Sequence, residues 1–335
     1  MLRRVADALY WMSRYIERAE NNARILDVNI QLLLDFENQN EAAVRRHWEP
    51  IINSLEDREL FFSIHPEATA ETVVDFVSFE KKNPNSIYSC IGRARENART
   101  VRELVSSEMW EQINSLYLYL GSERSRSVFA GSGYEFFKSI VDASQLFQGI
   151  TDATMNHGEG WDFLQVGKYT ERADRTSRIL DVKYHLLLPT GEKVGGNVDV
   201  VQWLAVLKSC SAMEAYRKLY VGQVAPWMVA EFLITNDTFP RSIRFCVNRL
   251  DLALHRISGI SHTHYGNEAE RLSGRLSSDL AYSTIADIFS FGLHQYLDRI
   301  QSRLVEVSKA MLKTYCDWME EEGKMHYPLK SPAEA

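Results

Sequence analysis

Two stretches of the chain place carboxylates and guanidiniums at helical spacing, an arrangement that suits charge-assisted capture of an anion or acid–base work by a buried carboxylate. In the first, Arg14, Glu17, Arg18, Asn21 and Arg24 crowd into about a third of a helix's circumference at 100° per residue. In the second, Glu171, Arg172, Arg175 and Arg178 repeat the pattern. Read as a ligand site, Arg14, Arg18, Arg24, Arg172, Arg175 and Arg178 form forks that hold carboxylates or phosphates, while Glu17 and Glu171 orient them or receive a cationic group. Read as a catalytic site, Glu17 or Glu171 is a general base, and the arginines clamp an anionic substrate in a step that forms or cleaves an amide bond. Read as structure, Glu17 pairs with Arg14 or Arg24 of its own helix and the network sets bundle register. Six arginines against two motif carboxylates leave an excess of positive charge, which keeps the ligand reading open.

The elements that must position these groups repeat as well. Setting Tyr15 against Tyr169 pairs YIERAENNARILDVNIQLLL with YTERADRTSRILDVKYHLLL, with identities at the Tyr, Glu-Arg-Ala, the later Arg, Ile-Leu-Asp-Val and the closing leucines. Met12, Tyr15, Ile16, Ala19, Ala23, Leu26, Ile30, Leu33 and Leu34 form one apolar stripe at steps of three and four, so the stretch is a helix with a core face. The opposite side begins charged and continues apolar through Ile25, Val28 and Leu32, which predicts a helix central to a bundle. A weaker third echo, RARENARTVRE, aligns Arg93, Ala94, Asn97, Ala98 and Arg99 with Arg18, Ala19, Asn22, Ala23 and Arg24, so Asn97 and Arg99 are candidates to join the cluster.

The residues YWMSRYIERAENNARILDV, KYTERADRTSRILDV, SIYSCIGRARENARTVRELVSSEMWEQIN and PRSIRFCVNRL resemble the bacterial alpha-E domain family, an all-helical group named for its Glu-Arg motif, from Met1 to about Tyr315. The resemblance implies a place beside circularly permuted ATP-grasp ligases and transglutaminase-like proteases in predicted peptide-tagging or amide-ligating systems. The expected role is then a non-catalytic binding or scaffold protein that holds an acidic peptide, or docks the ligase, through an Arg-rich groove.

No stretch alternates with period two, so an all-α helical bundle is expected. SIRFCV follows SIYSCI by 156 residues, which with the motif helices predicts two tandem-duplicated halves, 1–156 and 157–319, packing separately or as one domain, and a disordered tail over 320–335. Helices are expected over Val44–Leu55, Ala70–Phe79, Ile87 past Val105, Trp110–Leu120, Phe136–Met155, Val200–Tyr220, Gln223–Leu233, Asp237–Ser258, Glu268–Phe291 and Leu293–Tyr315. Pro50 and Pro66 are read as punctuation, and Gly121–Gly133 and TGEKVGGN as loops. If the motif helices pair, Glu17-Arg18 faces Glu171-Arg172.

The other chemistries find little support. No apolar run reaches the roughly 18 to 20 residues of a membrane span, and the N-terminal stretch has neither an apolar signal core nor a cleavage site. Four separated cysteines suit reduced core thiols, so a cytoplasmic location is expected. A net charge of −7 disfavours nucleic acid. No His lies three residues after a Glu, which a carboxylate-bridged di-iron bundle needs, and no phosphate-binding glycine motif occurs, so neither metal nor cofactor is expected. His262-Thr-His264, the one close His pair, is read as a solvated turn or a weak metal site. Cys90 and Cys246 occupy matched positions without a partnering base and are read as core, as are Trp11, Tyr15 and Tyr169.

Overall fold

The computed structural model describes residues 1–34, 41–55, 57–185, 196–222 and 224–316. Among them the chain forms sixteen helices and no strand, as the missing period-two alternation requires. In order they are α1 (Arg3–Leu34), α2 (Glu41–Ser54), α3 (Arg58–Ile64), α4 (Ala70–Ser78), α5 (Ile87–Thr100), α6 (Ser107–Leu120), α7 (Glu123–Gly131) and α8 (Gly133–Thr154). They continue as α9 (Glu159–His185), α10 (Asn197–Ser209), α11 (Met213–Leu219), α12 (Pro226–Thr235), α13 (Ile243–Ser258), α14 (Glu268–Tyr282), α15 (Ile285–Phe291) and α16 (Leu293–Tyr315).

Helix α1 runs uninterrupted because its 32 residues include no Gly or Pro. It is buried all round: Met12, Ile16, Ala19, Ala23 and Leu26 on one side, Arg14, Glu17, Asn21, Ile25 and Val28 on the other. Its main neighbours are α9, α5 and α8, and those of α9 are α1, α13 and α16. Elements of each half also reach across, α10 onto α1 and α2 onto α9, and one hydrophobic core runs through both. The backbones of α1 and α9 come closest at Gly167, where an added Cβ would stand 2.3 Å from the Tyr10 carbonyl oxygen.

Caps explain most differences from the expected helices. Residues 121–133, expected as a loop, carry α7, because Ser122 accepts a hydrogen bond from the Ser125 N–H and nucleates a turn. The helix expected past Val105 stops at Thr100, and a new one opens where Ser106 accepts from the Met109 N–H. Val200–Tyr220 is two helices, parted where Ser211 takes a positive φ of 50°. Glu268–Phe291 is also two, parted by the capping box of Thr284 and Asp287. Helix α3 was not expected, and Pro50 lies inside α2 rather than ending it. The predicted tail over 320–335 and nearly all of the TGEKVGGN loop lie outside the described residues.

One group in α1 opposes folding. The Oδ1 of half-buried Asp7 lacks a hydrogen bond, and burial, only partly offset by Trp11, pushes its pKa from 3.8 up to about 6. Folded protein therefore keeps this proton where the unfolded chain has lost it, so the penalty begins near pH 4 and is complete above pH 6. Asp7→Asn is expected to stabilise by about 1–2 kcal/mol at pH 7, with no gain below about pH 4, in urea unfolding at the two pH values.

Candidate functional site

The pairing of α1 with α9 sets the two Glu-Arg sequences against each other. Arg18 donates from Nε to Glu171 Oε1 (2.6 Å) and from Nη2 to Oε2 (2.9 Å), a two-pronged fork. Arg172 answers with Nε to Glu17 Oε1 (2.8 Å) and Nη2 to Oε2 (2.9 Å). Glu171 takes two further arginines, Arg14 (2.8 Å) and Arg175 (2.9 Å), and Glu17 takes Arg241 (3.0 Å) and the Gln148 amide (2.8 Å). The intrahelical partners expected for Glu17, Arg14 and Arg24, are engaged elsewhere. Arg14 crosses to Glu171, and Arg24 turns to Glu20 on its own helix (2.7 Å). Arg178 likewise holds Asp174 (2.8 Å), and Arg241 also bonds Glu20 and the Asn21 amide oxygen.

The surroundings of the two carboxylates correspond position by position, though not always in residue type. Asn22 Nδ2 donates to the Asn85 carbonyl and Thr176 Oγ1 to the Arg241 carbonyl, each at 2.8 Å, just before α5 and α13. Two positions trade residue types: Asn21 stands where α9 has Arg175, and Asn85 stands where the other half has Arg241. Glu171 therefore draws its extra guanidinium from its own helix, and Glu17 draws its own from the segment before α13. Each carboxylate ends with a comparable cationic shell built by a different route.

Both are fully buried. Burial alone would raise their pKa values, but Arg18, Arg14 and Arg175 hold Glu171 well below the usual carboxylate range, and Arg172 and Arg241 do the same for Glu17. Every carboxylate oxygen accepts at least two nitrogens or amides, so neither Glu presents a basic lone pair to a substrate proton. The geometry does not favour the general-base reading.

The cations outnumber their partners. Among the described residues, Arg14, Arg18, Arg24, Arg172, Arg175, Arg178, Arg241 and half-buried Lys168 gather around Glu17, Glu20, Glu171 and Asp174, with Asp27 near Arg24. The imbalance registers on two of them. Burial and then Arg172 push Lys168 down to about 8, and burial and then Arg241 lower Arg24. Arg24 ends on the Ser211 hydroxyl, with about 10% of its side chain still open to solvent.

Of the candidates read from sequence, Arg14, Glu17, Arg18, Asn21, Arg24, Glu171, Arg172, Arg175 and Arg178 come together. Asn97 and Arg99 do not. Arg99 is exposed on the last turn of α5 and pairs with Glu96, and the Asn97 side chain bonds no member of the cluster. The echo fails because α5 turns its Cys90, Ala94 and Ala98 side inward, leaving Arg99 on the outer face. Sequence reasoning missed Arg241, Glu20, Asp174 and Lys168. The match of PNSIYSC with PRSIRFC, and the acidic residue three places after each Glu of the motif, carried that signal.

The cysteines are core: burial raises the thiol of Cys90 to about 11 and that of Cys246 to about 12, and both sulfurs face backbone carbonyls. Among the described residues no helix is long and apolar enough to cross a membrane.

The chain is similar to an uncharacterised protein of Mycobacterium bovis, 23% identical over 304 residues, covering 84% of this chain and 32% of that protein. Uncharacterised proteins of two Mycobacterium tuberculosis strains match with the same identity and coverage, so the chain spans about a third of the length of these relatives. No solved structure matches. The Alpha-E family, described as "a predicted alpha-helical domain with a conserved ER motif", matches residues 1–316, a span that includes the Glu17-Arg18 and Glu171-Arg172 pairs. The chain belongs to the Alpha-E family.

Proposed function

We propose that this chain is a non-catalytic binding or scaffold protein whose α1/α9 interface holds the carboxylate of an acidic peptide segment. One observation carries the reading: among the described residues, the buried arginines Arg14, Arg18, Arg172, Arg175 and Arg241 and the nearly buried Arg24 converge on only three carboxylates, Glu17, Glu20 and Glu171, in a nearly water-free space. Uncompensated buried charge is costly, and an anion entering beside Arg24, whose charge burial and Arg241 disfavour and whose side chain is about 10% open to solvent, removes part of that cost. The place beside an ATP-grasp ligase or a transglutaminase-like protein rests on the family resemblance, and the cytoplasmic location on the four separated, buried cysteines. The matched eight-helix series α1–α8 and α9–α16 supports descent from a tandem duplication.

Titration with a short Glu-rich peptide bearing a free C-terminal carboxylate tests the binding claim. Binding to the parent chain is expected to weaken about tenfold in Arg24→Gln, the loss of one charge-assisted contact. Equal binding by both, with the variant folded, contradicts it.

A further inference from the structure

Away from the α1/α9 interface, the end of α13 and the loop that follows it assemble three metal-ligating side chains. Asp251 and His255 lie one turn apart on α13, and His262 comes from the loop. One donor atom from each falls within 4.8 Å of the other two. Asp251 Oδ1 is 3.7 Å from His255 Nε2, and Asp251 Oδ2 is 3.5 Å from His262 Nδ1. A tetrahedral zinc ion with bonds of about 2.0–2.1 Å separates its ligand atoms by roughly 3.3 Å, so the three side chains, whose donor atoms lie within 4.8 Å of one another, must draw together by no more than about 1.5 Å.

The support around these ligands is already built. His255 is 95% buried, and its Nδ1–H donates to the Ile260 carbonyl (3.1 Å), which fixes the ring with Nε2 as the nitrogen available to a metal ion. Among the described residues that Nε2 has no hydrogen bond, and it faces the Asp251 carboxylate. Ser273 Oγ donates to Asp251 Oδ1 and fixes the carboxylate. The loop is tied at both ends. Gly259 leaves α13 at a φ of 73°, which favours glycine, and buried Glu270 accepts from the Gly266 N–H and the Asn267 amide. His262 is thereby held over His255, ring centroids 4.4 Å apart. Both histidines line a cleft of about 470 Å³ that Arg271 and Arg275 also border.

We propose that Asp251, His255 and His262 bind a divalent transition metal, with zinc the best fit to a two-imidazole, one-carboxylate set. The fourth position opens to the cleft, where the two arginines suit an anionic oxygen ligand. Hydrogen bonds from the Ile260 carbonyl and Ser273 hold the ligands in the orientation the ion requires.

The test is zinc titration of the untagged, chelator-stripped full chain against a chromophoric competitor, with His262→Ala and Asp251→Asn as variants. The parent chain is expected to take up one equivalent, weakened by more than about tenfold in each variant. His262 is half-exposed, so His262→Ala is expected to keep the parent's helical circular dichroism. As a second measurement, cobalt(II) should give the intense visible absorption of a tetrahedral site in the parent chain. Stoichiometric zinc uptake unaffected by both substitutions, or no tetrahedral cobalt spectrum, overturns the proposal.

Discussion

Glu171→Ala is expected to lower the unfolding free energy at pH 7 by about 3–5 kcal/mol, the cost of leaving buried charges without their partner. Arg14, Arg18 and Arg175 all converge on this one carboxylate, and their side chains are only 6%, 11% and 6% exposed, so water cannot replace it. Urea unfolding measures the effect, with Glu49→Ala as the comparison. Glu49 pairs with Arg58 where both side chains are about half exposed, and its loss should cost no more than about 1 kcal/mol. Acid should reproduce the larger effect. Glu17 and Glu171 have folded pKa values below the unfolded value of 4.5, so their contribution is complete above about pH 4.5 and lost as pH falls toward the folded values. A Glu171→Ala variant equal in stability to the parent at pH 7 contradicts the assignment.

Gly167→Ala is expected to destabilise by about 1–3 kcal/mol, against the ordinary preference of helices for alanine. The new Cβ would stand 2.3 Å from the Tyr10 carbonyl oxygen and 3.3 Å from the Ser13 Cβ, so α1 and α9 must separate. Separation lengthens the same Arg–Glu bonds that lie one turn further on, which couples backbone packing to the ion network. Gly149, on the exposed face of α8, is the control, because nothing lies within 4 Å of its added Cβ. Gly149→Ala should stabilise by about 0.5–1 kcal/mol. The opposite signs of the two substitutions are the result to look for in thermal unfolding.

The sequence was readable where a physical pattern was local. Charged residues confined to one side of α1, followed on that side by Ile25, Val28 and Leu32, required a helix covered on both faces, and α9 and α5 are the covering elements. Where a boundary depended on one hydroxyl, periodicity could not see it. Ser122 turned an apparent loop into α7, and Ser106 ended one helix by starting another. The cluster was legible along each motif helix and illegible across the fold. Arg241 lies 224 residues from the Glu17 it touches, and only the exchange of Asn21 with Arg175 and of Asn85 with Arg241 hints that its charge is needed there. Arg99 shows the converse: it copies the motif in sequence, but its helix presents another face to the interior.

A double-mutant cycle on Arg18 and Glu171 tests the central claim, that the two Glu-Arg sequences act as one reciprocal buried unit. Unfolding free energies of Arg18→Met, Glu171→Gln and the double variant at pH 7 should give a coupling of about 1.5–3 kcal/mol, the double variant being far less damaged than the sum of the singles. Effects that add to within about 0.5 kcal/mol would mean that the two side chains do not act on each other, and the account of the α1/α9 interface would be wrong.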